Sequence, residues 1–351
     1  MEIRIATEED AQRWDEIVER SPNGELFHTW KWLKIMERFS VQKKAGLSVK
    51  GTLYPVLIME KEKIVGLCPL FLFRTPLVTS CYSPPLNVDT LYLGPLFPEL
   101  DNLVPAKQQI FLHDVQIALD RYIRTELKAN YVQINTPPSF GDCRFFKWGG
   151  YDAEARYTSH LDLSGGTEAI WKNLNRGTRR FIDKAKKEEM NVSVGDKDDL
   201  LFVYDLLRER SRIQCPREFV SAVYDTFAPA NMAVFIAKVG TERLSGIVTL
   251  LYKGKVAFWI GAPKCSYKGT YPNELLVWEA IRWSVEQKYK TFEIIGADDY
   301  SLFPFKRKFN AKTVMYFQMK WVSPKLHMVT SVYNGIFRRD ENLLEPASSS
   351  E

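Results

Sequence analysis

The sequence predicts an α/β fold in which one arrangement of strands and helices is built twice. Between residues 256 and 320 an apolar run, an amphipathic stretch and a second apolar run follow one another, the pattern of a parallel strand–helix–strand crossover. The same order of elements occurs in the first half of the chain. A length of 351 residues also suits two units of ordinary domain size, each large enough to bury a core.

In the first half, Leu53-Tyr-Pro-Val-Leu-Ile58 and Leu67-Cys-Pro-Leu-Phe-Leu-Phe73 read as strands joined by a turn in Lys61-Glu-Lys-Ile-Val-Gly66. A helical pattern over 113–127 feeds the strand Tyr131-Val-Gln-Ile-Asn135, and Phe145-Phe-Lys-Trp-Gly-Gly150 precedes a strand over 157–163. The second half repeats this. Ala233-Val-Phe-Ile-Ala-Lys238, a turn through Gly240, and Gly246-Ile-Val-Thr-Leu-Leu-Tyr252 form the hairpin, followed by the short run Val256-Ala-Phe-Trp-Ile260. The helix covers 272–287, with Leu275, Leu276, Trp278 and Ile281 among its apolar positions, and Phe292-Glu-Ile-Ile295 is the next strand. Gly296-Ala-Asp-Asp299, Phe305-Lys-Arg-Lys-Phe309 and a strand over 313–321 close the unit.

Order at matched spacing is how a duplication shows itself; two unrelated α/β domains is the alternative. The expected boundaries are 1–163 and 168–322, with a hinge at Leu163-Ser-Gly-Gly-Thr167 where Thr167 would cap the following helix. Residues 323–351 would form a last helix, striped by Leu326, Val329, Tyr333, Ile336 and Phe337, and a polar tail.

Composition narrows the function classes. With 45% hydrophobic and 26% charged residues the chain is globular, and no apolar run approaches the ~18 residues of a membrane span. Met1-Glu-Ile-Arg-Ile-Ala6 runs straight into Thr-Glu-Glu-Asp, which is not a signal peptide. Five scattered cysteines without a CxxC pair point to reduced thiols in a cytoplasm, free or peripheral to the inner membrane face. His28, His113, His160 and His327 stand far apart with no ligand spacing, so no metal site is expected. Residues 172–187 hold seven basic side chains against Asp183 alone, while the whole chain has a net charge of +5. Trp171, Leu174, Phe181 and Ala185 would be the buried stripe of that helix, leaving a cationic ridge outside. A ridge of this kind is either a solvated face or the footprint of a phosphate-rich partner.

The opening Asn-Arg-Gly-Thr-Arg-Arg of that helix belongs to an ordered set. The set continues through 202–212, the 237–246 hairpin, Tyr271-Pro-Asn-Glu-Leu-Leu-Val-Trp278 and Phe305-Lys306 near Phe309. Together with Leu26-Phe-His-Thr-Trp-Lys-Trp-Leu33 and Ile64-Val-Gly-Leu-Cys-Pro-Leu70, it resembles the Fem peptidyltransferases (FemAB type) and their BioF2-like acetyltransferase relatives. The resemblance implies two tandem GNAT-like (acyl-CoA N-acyltransferase) domains, mixed sheets flanked by helices. It also implies acyl or aminoacyl transfer to an amine, with acyl-CoA or aminoacyl-tRNA as co-substrate and no tightly bound cofactor. The acceptor would be an amine such as a cell-envelope or glycan precursor. Lys306 matches the family's Phe-Lys lysine and is expected to stabilise the transition-state charge, with Lys308 on the other side of the turn. Asp298 is the expected proton acceptor, or equally a turn residue. Expected binding positions are Arg176, Arg180 and Lys184 on the ridge, Arg212, Lys264 and Lys268, Tyr271 and Trp278 on the crossover helix, and Lys34 in the first half.

Two departures bear on the donor in opposite directions, the second being that no heptad run occurs for the coiled-coil arm some Fem enzymes insert. The loop Ala262-Pro-Lys-Cys-Ser-Tyr-Lys-Gly-Thr-Tyr-Pro272 has one glycine where acyl-CoA enzymes carry a glycine-rich pyrophosphate nest, which favours a tRNA-borne donor. The other readings are a plain acyl-CoA-dependent N-acetyltransferase of a small molecule or polysaccharide precursor, and an inactive GNAT-like module that binds nucleic acid or a charged polymer.

Overall fold

The computed structural model describes residues 1–44, 47–209, 213–261, 266–298, 300 and 302–328. The first half runs β1 (Glu2–Ile5), α1 (Ala11–Arg20), α2 (Trp30–Phe39), β2 (Val41–Lys44), β3 (Leu47–Lys50), β4 (Thr52–Glu60), β5 (Lys63–Arg74) and β6 (Thr79–Ser83). It continues with α3 (Pro105–Arg121), β7 (Tyr131–Asn135), α4 (Arg144–Trp148) and β8 (Asp152–Asp162). The second half runs α5 (Gly166–Asn173), α6 (Arg176–Lys187), β9 (Asn191–Gly195), α7 (Lys197–Glu209), α8 (Arg217–Phe227), β10 (Met232–Val239) and β11 (Glu242–Tyr252). After these come β12 (Lys255–Ile260), α9 (Asn273–Glu286), β13 (Thr291–Ile294), α10 (Phe303–Lys306) and β14 (Lys312–Val322).

Twelve strands form one sheet in the order β1-β4-β5-β6-β7-β14-β8-β13-β12-β11-β10-β9. Read from either edge, it gives the same succession: three antiparallel strands, a parallel pair, then a closing strand. The parallel pairs are β6 with β7 and β12 with β13, bridged by α3 and α9 as a crossover requires. The closing strands are exchanged. β8 of the first half pairs with β13, and β14 of the second half pairs with β7, while β8 and β14 run antiparallel to each other over nine residue pairs. Each half therefore completes the other's sheet.

Alternation along the strands sends residues to two faces. On one face α1, α2, α7 and α8 cover a core common to both halves, where the Trp32 ring meets Trp259 at 5.6 Å and Phe219 at 6.4 Å. The other face is divided. Val56, Ile58, Val132 and Ile134 pack with α3 and α4, and Val256, Phe258, Phe292 and Ile294 pack with α5, α6 and α9. Tight hairpins keep the register: Lys253 and Gly254 both adopt left-handed backbone (φ 47° and 74°) in the two-residue turn between β11 and β12.

Two expectations are corrected. The basic helix is interrupted at Leu174-Asn175, because the Asn175 side chain accepts a hydrogen bond from the Gly177 N–H (2.8 Å) and caps a new helix, α6. Its buried positions are Thr178, Ile182 and Ala185; Phe181 is exposed along α6 and borders a cavity instead. Gly165, not Thr167, stands at the N-cap of α5. The stripe expected beyond Met328 lies outside the described residues. Among the described residues no helix is long and apolar enough to cross a membrane.

Candidate active site

A cavity of about 980 Å³ opens where the C-terminal ends of both parallel pairs approach the middle of the sheet. Strand ends supply Gln133 and Asn135 of β7, Phe258 to Ile260 of β12, and Ile295 just beyond β13. Loops and helix starts add Pro84 to Asn87, Asp89, and Tyr271, Asn273 and Glu274 at the start of α9, with Phe181 from α6. The wall is aromatic and apolar with a few charges, the composition expected of a small-molecule site.

Lys306 lies on this wall. The short helix α10, begun with Pro304 in its first turn, carries it back toward β13, and its ammonium donates to the carbonyl oxygens of Ile295 and Gly296. Gly296 permits that approach. Its φ is +80°, and a Cβ there would stand 2.9 Å from Lys306 Nζ. A positive charge is thereby fixed at the end of a central strand.

Lys308 differs from its expected placement on the far side of the turn. It borders the same cavity, where its ammonium pairs with the buried Glu274 at 2.5 Å and sits 5.4 Å from the Phe181 ring and 5.7 Å from the Phe305 ring. It compensates a carboxylate that would otherwise be stranded. Asn273 Oδ1 and the second oxygen of Glu274 are buried without a hydrogen-bond partner among the described residues.

Asp298 is not in the cavity wall. It is exposed, and both carboxylate oxygens accept the Tyr157 N–H of β8 (3.1 and 3.0 Å), so it clamps the exchanged strand. Besides Glu274, the acid that borders the cavity is Asp89, which the sequence did not single out. Burial pushes its carboxyl group up, against hydrogen bonds from the Cys215 thiol and N–H. Its backbone is left-handed at φ 41°, and its carbonyl accepts the Trp259 Nε1–H at 2.8 Å.

The other expected residues divide. Tyr271 borders the cavity. Trp278 does not; it is buried in the second-half core with its ring 4.8 Å from Trp171 of α5. Lys34 is a surface residue of α2 paired with Glu37 at 3.0 Å and Glu8 at 3.2 Å. Lys268 reaches Glu188 at 3.8 Å, and Lys184 donates to the Gly269 carbonyl at 3.1 Å. Arg176 and Arg180 are exposed on α6 and outside the cavity wall. Arg212 and Lys264 lie outside the described residues.

A second polar cluster ties the halves together at the opposite ends of β12 and β13. Lys255 bridges Glu25 (2.6 Å) and the fully buried Glu293 (2.7 Å), which also accepts the hydroxyls of Tyr92 (2.8 Å) and Thr158 (2.7 Å). Burial works to raise the Glu293 carboxyl, but Lys255 and His160 hold it well below the ordinary range, whereas burial pushes Glu25 up. Glu293 is legible only as the single acid in an apolar strand, with Lys255 as the matching base one strand away. Among the described residues no group of three or more His, Cys, Asp or Glu side chains could hold a metal ion.

Residues 171–307 match the family described as "Acetyltransferase (GNAT) domain". No curated protein matches the sequence. The fold is similar to that of FemX (TM-score 0.62, 13% identity, covering 90% of this chain and 97% of that one). It is also similar to a conserved protein of unknown function from Bacteroides thetaiotaomicron (0.56, 9%, 92% and 99%) and to a tandem GNAT protein from the clavulanic acid biosynthesis pathway (0.50, 8%, 92% and 98%). The exchanged twelve-stranded sheet is thus similar in fold to FemX and to a tandem GNAT protein.

Proposed function

We propose that this chain, whose residues 171–307 carry an acetyltransferase (GNAT) domain, moves an acyl or aminoacyl group from an activated donor to an amine in the cavity where its halves meet. In this reading residues 1–163 and 168–322 are two GNAT-like units acting on one site. The observation that carries it is the Lys306 ammonium, fixed by the Ile295 and Gly296 carbonyls on the cavity wall. An amine lone pair attacks the donor carbonyl carbon, and negative charge develops on the carbonyl oxygen. A fixed cation in a site that excludes water stabilises that oxyanion more than it stabilises the neutral ground state. Collapse of the adduct expels a thiolate or a ribose hydroxyl, which leaves with a proton from the nitrogen.

Charge supports a tRNA-borne aminoacyl ester over acyl-CoA as donor. Among the described residues the cavity wall holds Lys306 and Lys308 against Asp89 and Glu274, so these side chains leave no surplus positive charge for phosphates. At the first turn of α9, where an acyl-CoA pyrophosphate would seek free N–H groups, stands the buried carboxylate of Glu274. The phosphates of the donor are then left to the exposed Arg176 and Arg180 on α6. The amine acceptor is a separate co-substrate, and no tightly bound cofactor takes part.

The test runs two donors side by side: a set of acyl-CoAs read by thiol release, and aminoacyl-tRNA read by transfer of labelled amino acid to added primary amines. Transfer from the tRNA alone supports the donor assigned here, and transfer from acyl-CoA alone replaces it. Lys306→Met should lower turnover by roughly two to three orders of magnitude, the usual loss for one oxyanion-stabilising group. An unchanged rate would remove the role given to Lys306.

A further inference from the structure

Asp89 combines features that the fold alone does not require. It lies in the loop that follows β6, and its φ of 41° is left-handed backbone that a non-glycine residue keeps only where the surroundings impose it. Here they do so from the other half of the molecule: Trp259 Nε1 of β12 donates to the Asp89 carbonyl at 2.8 Å, and the Cys215 N–H donates to its carboxylate at 3.3 Å. No cation pairs with this carboxylate among the described residues. Glu274, the other carboxylate on the wall, has Lys308. A desolvated carboxylate without a counter-charge is unfavourable, and a ligand that brings a positive charge offsets that cost.

We infer that Asp89 is a catalytic residue that anchors the acceptor as a primary ammonium and takes one of its protons before attack. The inference rests on the acyl-transfer reading and names its acceptor subsite. The surroundings define the rest of the ligand: Phe27, Pro84, Pro85 and Trp259 border the same cavity, so the ammonium is carried on an apolar or aromatic body. Protons balance. The bound ammonium gives one proton to the Asp89 carboxylate and becomes a neutral amine. Its nitrogen forms the new bond to the acyl carbon, the bond to the donor's sulfur or oxygen breaks, and the departing atom receives the second proton. The amide keeps the third, and Asp89 releases its proton to solvent. Burial, which makes this carboxyl a stronger base than an exposed aspartate, suits that task.

Asp89→Asn keeps the shape, removes the charge, and places asparagine, the side chain that best tolerates left-handed backbone, at φ 41°. Binding of phenethylamine and of 2-phenylethanol is measured by calorimetry at neutral pH on the full chain. Wild type should prefer the amine at least tenfold, and Asp89→Asn should lose the preference while still binding the alcohol. Asp89→Glu, which retains the charge, should keep part of it; Asp89→Ser replaces Asp89→Asn if that variant melts early. In the transfer assay Asp89→Asn should raise the amine KM and lower kcat about a hundredfold. Equal affinity of wild type for amine and alcohol, or an unchanged preference in Asp89→Asn, overturns the inference. If transfer persists in Asp89→Asn with the same amine KM, acyl transfer stands and this assignment falls. If wild type selects the amine through Asp89 but no donor supports transfer, the binding subsite stands and the transfer reading falls.

Discussion

Replacing Lys255 by methionine tests whether the two halves are joined by charge as well as by strand exchange. Methionine keeps most of the volume of the stem and removes the ammonium that lies 2.6 Å from Glu25 and 2.7 Å from Glu293. Two carboxylates then remain close together with no cation between them, one of them fully buried. Breaking a buried pair by removing one partner typically costs about 3–5 kcal/mol, and that is the expected loss at pH 7.5. Acid should restore part of it. In the wild type Lys255 depresses the Glu293 carboxyl, so it stays ionised across the mildly acidic range. Without Lys255, burial and the Glu25 charge are opposed by His160, so the carboxyl rises from its depressed position and the folded variant gains a proton as the pH falls. One proton taken up over part of two and a half pH units returns about 2–3 kcal/mol relative to wild type. Urea titrations of both proteins at pH 7.5 and pH 5.0 read this, because the His28 shift is set chiefly by burial, to which Lys255 adds a smaller part, and so largely cancels between them. A loss below about 1 kcal/mol, or the same loss at both pH values, would refute the reasoning.

His28 makes its own prediction. Burial holds its pKa down to about 4, with Nδ1 accepting the Glu25 N–H (3.2 Å) and Nε2–H facing the Leu93 carbonyl (3.1 Å). The folded state therefore binds fewer protons than the unfolded one, so stability is complete above about pH 6.5 and falls by about 3 kcal/mol as the pH drops to 4. In His28→Gln the decline between pH 7 and 5 should be about 2 kcal/mol smaller; an identical decline refutes the assignment. Gly296→Ala places a Cβ 2.9 Å from Lys306 Nζ at a backbone φ of +80°, and should lower transfer at least tenfold while the protein still folds by circular dichroism. Arg176→Ala with Arg180→Ala should weaken donor binding and flatten its log–log salt slope by roughly one to two units, whereas unchanged slopes would make this face of α6 a solvated one.

What could be read from the sequence was local. The crossover 272–287 and its two strands follow from apolar periodicity, and α9 with β12 and β13 lies within two residues of those expected bounds. The recurrence of hairpin, crossover and closing strand was legible for the same reason. The exchange of β8 and β14 was not, because the identity of a strand's partner is a non-local property; Lys312–Val322 would read the same beside β13 as beside β7. Side-chain direction failed where tertiary context overrode period. Phe181 fits the helical stripe, yet the cap at Asn175 begins a separate helix, on which Phe181 borders the cavity. Lys306 was legible from the Phe-Lys pair, whereas Asp298 and Asp89 have equally ordinary loop contexts, and only the paths of β8 and β6 decide which one meets the cavity.

The duplication also explains why one cavity holds the charges. The first-half counterpart of the Gly296 corner is Thr136-Pro137-Pro138, and the Thr136 hydroxyl is committed to the Phe317 N–H of the exchanged strand at 2.9 Å. Two prolines cannot offer the left-handed backbone that brings a lysine back onto strand-end carbonyls. Lys147, the counterpart of Lys306 by its place after two phenylalanines, is exposed on α4 and absent from the cavity wall. The first half instead sends in Asp89, held by Trp259 and Cys215 of the second half. One half thus presents a fixed cation at its strand end and the other a half-buried carboxylate from its loop. The Glu274 carboxylate of the second half is already paired with Lys308, and the exchanged strands hold the two edges in register. Under the proposed acyl transfer, a site with a fixed cation for the oxyanion and a carboxylate for the ammonium is what the two halves of this sheet would together supply.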